Sequence, residues 1–131
     1  MREEDTLDTS SKAGEYFIRR LKGKVDKEVF EIAFLSAKNK VIATKTLFVG
    51  TINESPVYPR EIIKEALNHD ANSVMIAHNH PGGSLQPSRA DIEATKRISV
   101  ALKTVSIKLL DHIIVADNKY MSFAEKGFIE L

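Results

Sequence analysis

The sequence predicts an α/β sandwich, a mixed sheet flanked by helices, and three observations carry that prediction. Apolar runs of strand length alternate with segments whose apolar residues recur at helical spacing. Glycine and proline stand at the joints between them, at Gly23, Pro59 and Pro81-Gly82-Gly83. The run from Glu28 to Ser36 is apolar on both faces, as a central strand covered from either side must be.

Taken in order, residues 1 to 8 are polar and expected to be frayed and disordered. Ser10 or Ser11 can cap a first helix running to about Lys22, with Tyr16, Phe17, Ile18 and Leu21 on its apolar face and Gly23 as its stop. In the strand Glu28 to Ser36, Val29, Glu31, Ala33 and Leu35 point one way and Phe30, Ile32 and Phe34 the other, with Glu31 the one charge among them. A polar turn, Ala37-Lys38-Asn39-Lys40, leads into a return strand from Val41 to Val49. Asn53-Glu54-Ser55-Pro56 forms a loop, and Pro59 opens a helix continuing to Asn68. Ser73 to Ala77 is a buried strand with His78 to His80 at its C-terminal end. Ser88 begins a long helix marked by Ala94, Ile98, Ala101, Leu102 and Val105. Strands over Ile107 to Val115 and Lys119 to Phe123, joined at Asp117-Asn118, complete the chain.

A chain of 131 residues with 43% apolar and 28% charged residues is expected to form one soluble globular domain. No cysteine is present, which excludes disulfides, cysteine-ligated metals and thiol nucleophiles. A net charge of +1 gives no global attraction for nucleic acid, although a local basic patch is compatible with it. No apolar run approaches the roughly 20 residues of a membrane span, and the charged start Met1-Arg2-Glu3-Glu4-Asp5 is unlike a signal peptide. These features read as a cytoplasmic protein with no membrane partner.

The chemistry is concentrated between His78 and Asp91. Side chains two apart on a strand share a face, so His78 and His80 can aim at one point. Imidazole is a good zinc ligand and a carboxylate a common third, which Asp91 can supply if the turn folds back onto the strand end. Three protein ligands leave a fourth position open for water, the mark of a catalytic rather than a structural zinc site. A carboxylate outside the coordination sphere would serve as general base, and the candidates are Glu28, Glu31, Glu54, Glu61 and Glu65. Of these, Glu28 and Glu31 lie on or beside the strand expected to neighbour Ser73 to His80. Ser88 could donate a hydrogen bond to the oxyanion of a tetrahedral intermediate. Each part has a plainer reading, since Ser88 and Asp91 also have the spacing of a helix capping box. Both roles are compatible.

The pattern His78-x-His80-x7-Ser88-x2-Asp91 resembles the signature of the JAMM (MPN) zinc metalloproteases. The wording Ala77-His78-Asn79-His80-Pro81-Gly82-Gly83, with Tyr58-Pro59-Arg60-Glu61 and Leu110-Asp111-His112-Ile113-Ile114-Val115, is similar to the RadC branch. The likeness covers roughly residues 15 to 131. It implies a cytidine-deaminase-like α/β fold, one Zn2+ per chain held by His78, His80 and Asp91, Ser88 assisting the intermediate, and a protein or peptide substrate. It also implies an upstream glutamate as base, best matched by Glu28 with Glu31 second. Asn79 stands where deubiquitinating members carry Ser or Thr. RadC-like proteins often have an N-terminal helix-hairpin-helix region for which there is no room here, so the chain is a short member or a C-terminal domain.

Other residues have competing readings. His112, mid-strand among apolar neighbours, is expected to be a hydrogen-bonded structural histidine rather than a support for a ligand. His69 is expected to interact with a helix C-terminus or with solvent, and Tyr58 to Glu61 can line a groove or simply start a helix. A nucleic-acid-binding module is the rival function, resting on Lys12, Arg19, Arg20, Lys22, Lys24 and Lys27, which acidic residues surround. The missing cysteines and Asn79 in place of a glutamate speak against a zinc deaminase, whose pattern is His-x-Glu with Pro-Cys-x-x-Cys.

Overall fold

Alternation between strand-like and helical segments produces one five-stranded sheet with helices on both faces. The structure, a computed structural model, describes residues 5–24, 26–50 and 58–129. Its elements are α1 (Ser10–Leu21), β1 (Val29–Leu35), β2 (Val41–Val49), α2 (Pro59–Asn68), β3 (Ser73–Asn79), α3 (Arg89–Lys103), β4 (Lys108–Ala116) and β5 (Lys119–Ser122). The strand order is β2-β1-β3-β4-β5. Only β3 and β4 run parallel, and α3 makes the crossover between them that a parallel pair requires. The sheet is therefore mixed, as expected. No helix among the described residues is long and apolar enough to cross a membrane.

The two faces of β1 and β3 fill two separate cores, which is why both strands are buried along their whole length. Phe30, Ile32, Phe34, Val74 and Ile76 pack with Ile62 and Ala66 of α2 and Ile98 and Leu102 of α3. Val29, Ala33, Leu35, Met75 and Ala77 pack with Ala13, Tyr16, Phe17 and Leu21 of α1. Glu31 points into this second layer. Arg20 satisfies it with bonds of 2.7 and 3.2 Å, and the Thr46 hydroxyl adds a third at 3.0 Å.

Three local expectations are corrected. Thr9, not Ser10 or Ser11, caps α1, its hydroxyl accepting from Lys12 N at 3.1 Å. β3 continues to Asn79, so His78 belongs to the strand itself. From Asp5 onward the expected fraying does not occur. Leu7 is buried under α1, its N–H donates to Asn39 O at 2.7 Å, and Asp5 O accepts from Val41 N at 2.9 Å. One apolar side chain with a core to enter is enough to order the segment. The expected loop Asn53-Glu54-Ser55-Pro56 lies outside the described residues.

Gly23 ends α1 at φ +81°, a conformation glycine adopts without strain. Gly14 has a different reason. A Cβ there would stand 2.4–2.6 Å from three atoms of the Tyr120 ring, so α1 can lie this close to β5 only with glycine at the contact. Gly14→Ala gains about 1 kcal/mol of helix propensity but overpacks the contact by ~1–3 kcal/mol. The expected outcome is a net loss of stability, read as a lower urea midpoint with an unchanged slope.

Candidate metal centre

The site forms where β3 ends and α3 begins, at the C-terminal edge of the parallel pair. Phe30 lies opposite His78 in the β1–β3 ladder, and their rings stack at 5.4 Å. Extending that antiparallel register by two residues sets Glu28 opposite His80, on the same face. His80 keeps its alignment beyond the strand because its N–H bonds Val115 O at 2.8 Å. The two imidazoles consequently meet, Nε2 to Nε2, at 2.9 Å.

Hydrogen bonding determines which nitrogens carry protons. Thr95 uses its hydroxyl proton on Asp91 O at 2.6 Å, so its oxygen accepts from His112 Nδ1 at 2.7 Å. His112 Nε2 is then an acceptor, and His78 Nδ1 donates to it at 2.8 Å. His80 Nδ1 donates to Ser84 O at 2.8 Å. Both Nε2 atoms are thereby directed at the same point, and with each ring neutral both present a lone pair there. Two nitrogens at that distance need a proton or a metal ion between them. Fixing the ring from its far side is how metal-binding histidines are commonly oriented.

Asp91 completes the arrangement from α3. One carboxylate oxygen lies 3.5 Å from His78 Nε2 and the other 3.5 Å from His80 Nε2. Its Oδ2 accepts from Ser88 N at 2.9 Å while Ser88 Oγ accepts from Asp91 N at 3.0 Å, a complete capping box. The plain capping reading thus holds, and the same box aims the carboxylate at the histidines. Burial alone would raise the Asp91 carboxyl, but His78, His80 and the Ser88 N–H outweigh it and hold the group well below the usual carboxylate range. His80 is raised, chiefly by Asp91, and burial pushes His112 well below an ordinary histidine, so it is neutral. Ser88 is exposed, and accepting from Asp91 leaves its hydroxyl proton to donate.

Glu28 is the glutamate that the fold brings to this point. Glu28, His78 and His80 offer ligand atoms that all lie within 4.8 Å of one another, a cluster that could bind a metal ion. Glu31 faces the opposite side of the sheet and is held by Arg20. Glu65 pairs with Lys45 of β2, Glu61 is exposed in the first turn of α2, and Glu54 lies outside the described residues. Sequence reasoning missed Thr95; His112 is hydrogen-bonded as expected, with His78 and Thr95 as its partners, and stacks on Phe123 at 4.3 Å. Strand parity was the available signal: His112 pairs with Ile76, two residues before His78 on the same face. Thr95 lies one helical turn after Asp91.

The remaining candidates have structural explanations. His69 caps α2 by bonding Glu65 O at 2.8 Å and stacks on Phe34. Tyr58 is the N-cap of α2 with Pro59 in its first turn. Of the basic residues near the N-terminus, Lys12, Arg19 and Arg20 pair with Asp8, Asp5 and Glu31.

The donor set fits a metal ion. Ligand atoms at ~2.0–2.1 Å from a tetrahedral ion lie roughly 3.3 Å apart, close to the 2.9 and 3.5 Å separations among His78, His80 and Asp91. Comparison with known proteins agrees. The family described as "RadC-like JAB domain" matches residues 7–128. A UPF0758 protein of Nitrosospira multiformis is 43% identical over 129 residues, 98% of this chain and 57% of its own length. Those of Cellvibrio japonicus and Staphylococcus carnosus are 48% and 43% identical over 79% and 90% of this chain, and over 46% and 52% of their own lengths. This chain spans about half the length of the curated relatives it matches. With the five-stranded mixed sheet and the histidine–carboxylate cluster beside these matches, the chain belongs to the RadC-like JAB domain family.

Proposed function

We propose that this chain is a zinc-dependent metallohydrolase that cleaves an amide bond in a peptide or isopeptide linkage. The observation that carries this reading is the convergence of two imidazole Nε2 atoms, 2.9 Å apart, on a point flanked by the carboxylates of Glu28, just before β1, and Asp91 of α3. His78, His80 and Asp91 would hold the ion. A zinc ion bound there supplies an acidified water and a Lewis acid for the substrate carbonyl.

The protein's own groups divide the remaining work. Glu28 accepts a proton from the water as its oxygen attacks the carbonyl carbon. The Ser88 hydroxyl donates to the oxyanion that develops. When the C–N bond breaks, Glu28 returns the proton to the leaving amine, and the carboxylate is restored. As a ligand Asp91 stays ionised, its Oδ2 accepting from the Ser88 N–H.

The test is a peptide library incubated with the zinc-loaded protein and read by mass spectrometry. Wild type cuts specific bonds. Glu28→Gln retains zinc and cuts about a thousandfold more slowly, within the ~10²–10⁴ range of general-base effects. A library left intact by zinc-loaded wild type, or cleavage by Glu28→Gln at the wild-type rate, overturns the reading.

A further inference from the structure

The residue between the two histidines has a role that its position in the motif does not disclose. Alternation along β3 sends His78 to one face of the sheet and Asn79 to the other, where Asn79 is 4% exposed. There its carboxamide binds the approach to β1. Oδ1 accepts from Val29 N at 2.6 Å, and Nδ2 donates to Lys27 O at 2.9 Å and to Lys24 O. Lys27 and Val29 are the two neighbours of Glu28. The β1–β3 ladder stops at Phe30–His78, and one residue further on the Asn79 side chain takes over the bonding to the β1 backbone. On the opposite flank, Gly50 N donates to Glu28 O at 2.8 Å. Glu28 is thus gripped through its backbone on both sides.

We propose that Asn79 is a positioning residue that sets the Glu28 carboxylate over the metal centre, so that His78-Asn79-His80 supplies two ligands on one face and the mount for the base from the other. The proposal rests on Glu28 acting at that centre. The side chain must provide one acceptor and two donors at short reach while buried. A carboxamide does so; a carboxylate lacks the donors and adds a buried charge, and a serine hydroxyl has one donor and is too short. Without the grip, the Lys24 and Lys27 carbonyls and the Val29 N–H lose their partners, and the segment carrying Glu28 relaxes towards solvent. The imidazoles are held from elsewhere, by His112 and Ser84, so metal uptake does not depend on Asn79.

The test uses the cobalt-loaded protein, whose visible spectrum reports the charge beside the open coordination position. In wild type the negative Glu28 opposes loss of a proton there, so Glu28→Gln lowers the pH midpoint of the spectral change by roughly one unit. Asn79→Ser and Asn79→Ala are expected to bind cobalt stoichiometrically and to show the lowered midpoint. Glu28→Gln/Asn79→Ser should move no further than Glu28→Gln alone, the non-additivity of groups acting as one. The positioning role is overturned if both Asn79 variants keep the wild-type midpoint, if the double variant is additive, or if both lose the metal, since Asn79 would then serve the fold or the ligands. A Glu28→Gln midpoint equal to wild type overturns instead the placement of Glu28 at the centre, and the Asn79 proposal with it.

Discussion

Alanine at His78 or at Asp91 is expected to remove zinc from the protein, leaving near-zero metal by elemental analysis where wild type holds one ion per chain. Structural zinc sites of four ligands have apparent energies of ~10–16 kcal/mol. Each ligand is then worth roughly 3 kcal/mol, about a hundredfold in affinity or more. The two variants should differ in what else they damage. His78→Ala leaves His112 Nε2 without its donor inside the core. Asp91→Ala also removes the acceptor of Ser88 N and opens the capping box of α3, at a cost of ~0.5–2 kcal/mol of helix stability. Asp91→Asn separates the effects, since an amide oxygen can still accept from Ser88 N but is a poorer ligand. Equal zinc content in wild type, His78→Ala and Asp91→Ala would sink the ligand assignment.

His112→Phe should weaken zinc binding by about 10- to 100-fold without touching a ligand, as expected when the group orienting a metal-binding histidine is removed. Phenylalanine retains the ring between Phe30 and Phe123, so packing is largely kept. What disappears is the acceptor for His78 Nδ1–H, leaving a buried donor unpaired at a cost of ~1–3 kcal/mol. His78 then gains by reversing its tautomer, with the proton on Nε2 where the ion should bind. Chelator competition measures the affinity and urea denaturation the stability. An unchanged zinc affinity in a destabilised His112→Phe would reduce His112 to a core histidine.

The parts of this structure legible in the sequence are those set by local pattern. β2 and α2 occupy the residues that alternation and Pro59 indicate, and the other elements agree to within a few residues. The two-faced burial of β1 follows from its apolar run, and the capping box from Ser88 and Asp91. What sequence leaves open depends on pairing between distant strands. Glu28 and Glu31 both flank the same apolar run, and choosing between them requires knowing that Phe30 lies opposite His78. One residue of parity then sends Glu31 to Arg20 and Glu28 to the histidines. His112 is legible as a buried polar group needing a partner, but the partner is 34 residues away and is identified only by the parallel β3–β4 register. Leu7 escaped notice because a single apolar residue has no periodicity.

The chain of bonds from His78 through His112 and Thr95 to the carbonyl of Asp91 returns to a residue whose own carboxylate faces His78. The candidate ligands His78 on β3 and Asp91 on α3 are therefore tied together by the polypeptide alone. Most of the ordering entropy of assembling the site belongs to folding, and little remains to be lost when an ion arrives. Such a centre would be a socket rather than a staple: chelation is expected to empty it and to leave the sheet and both helical layers folded around it.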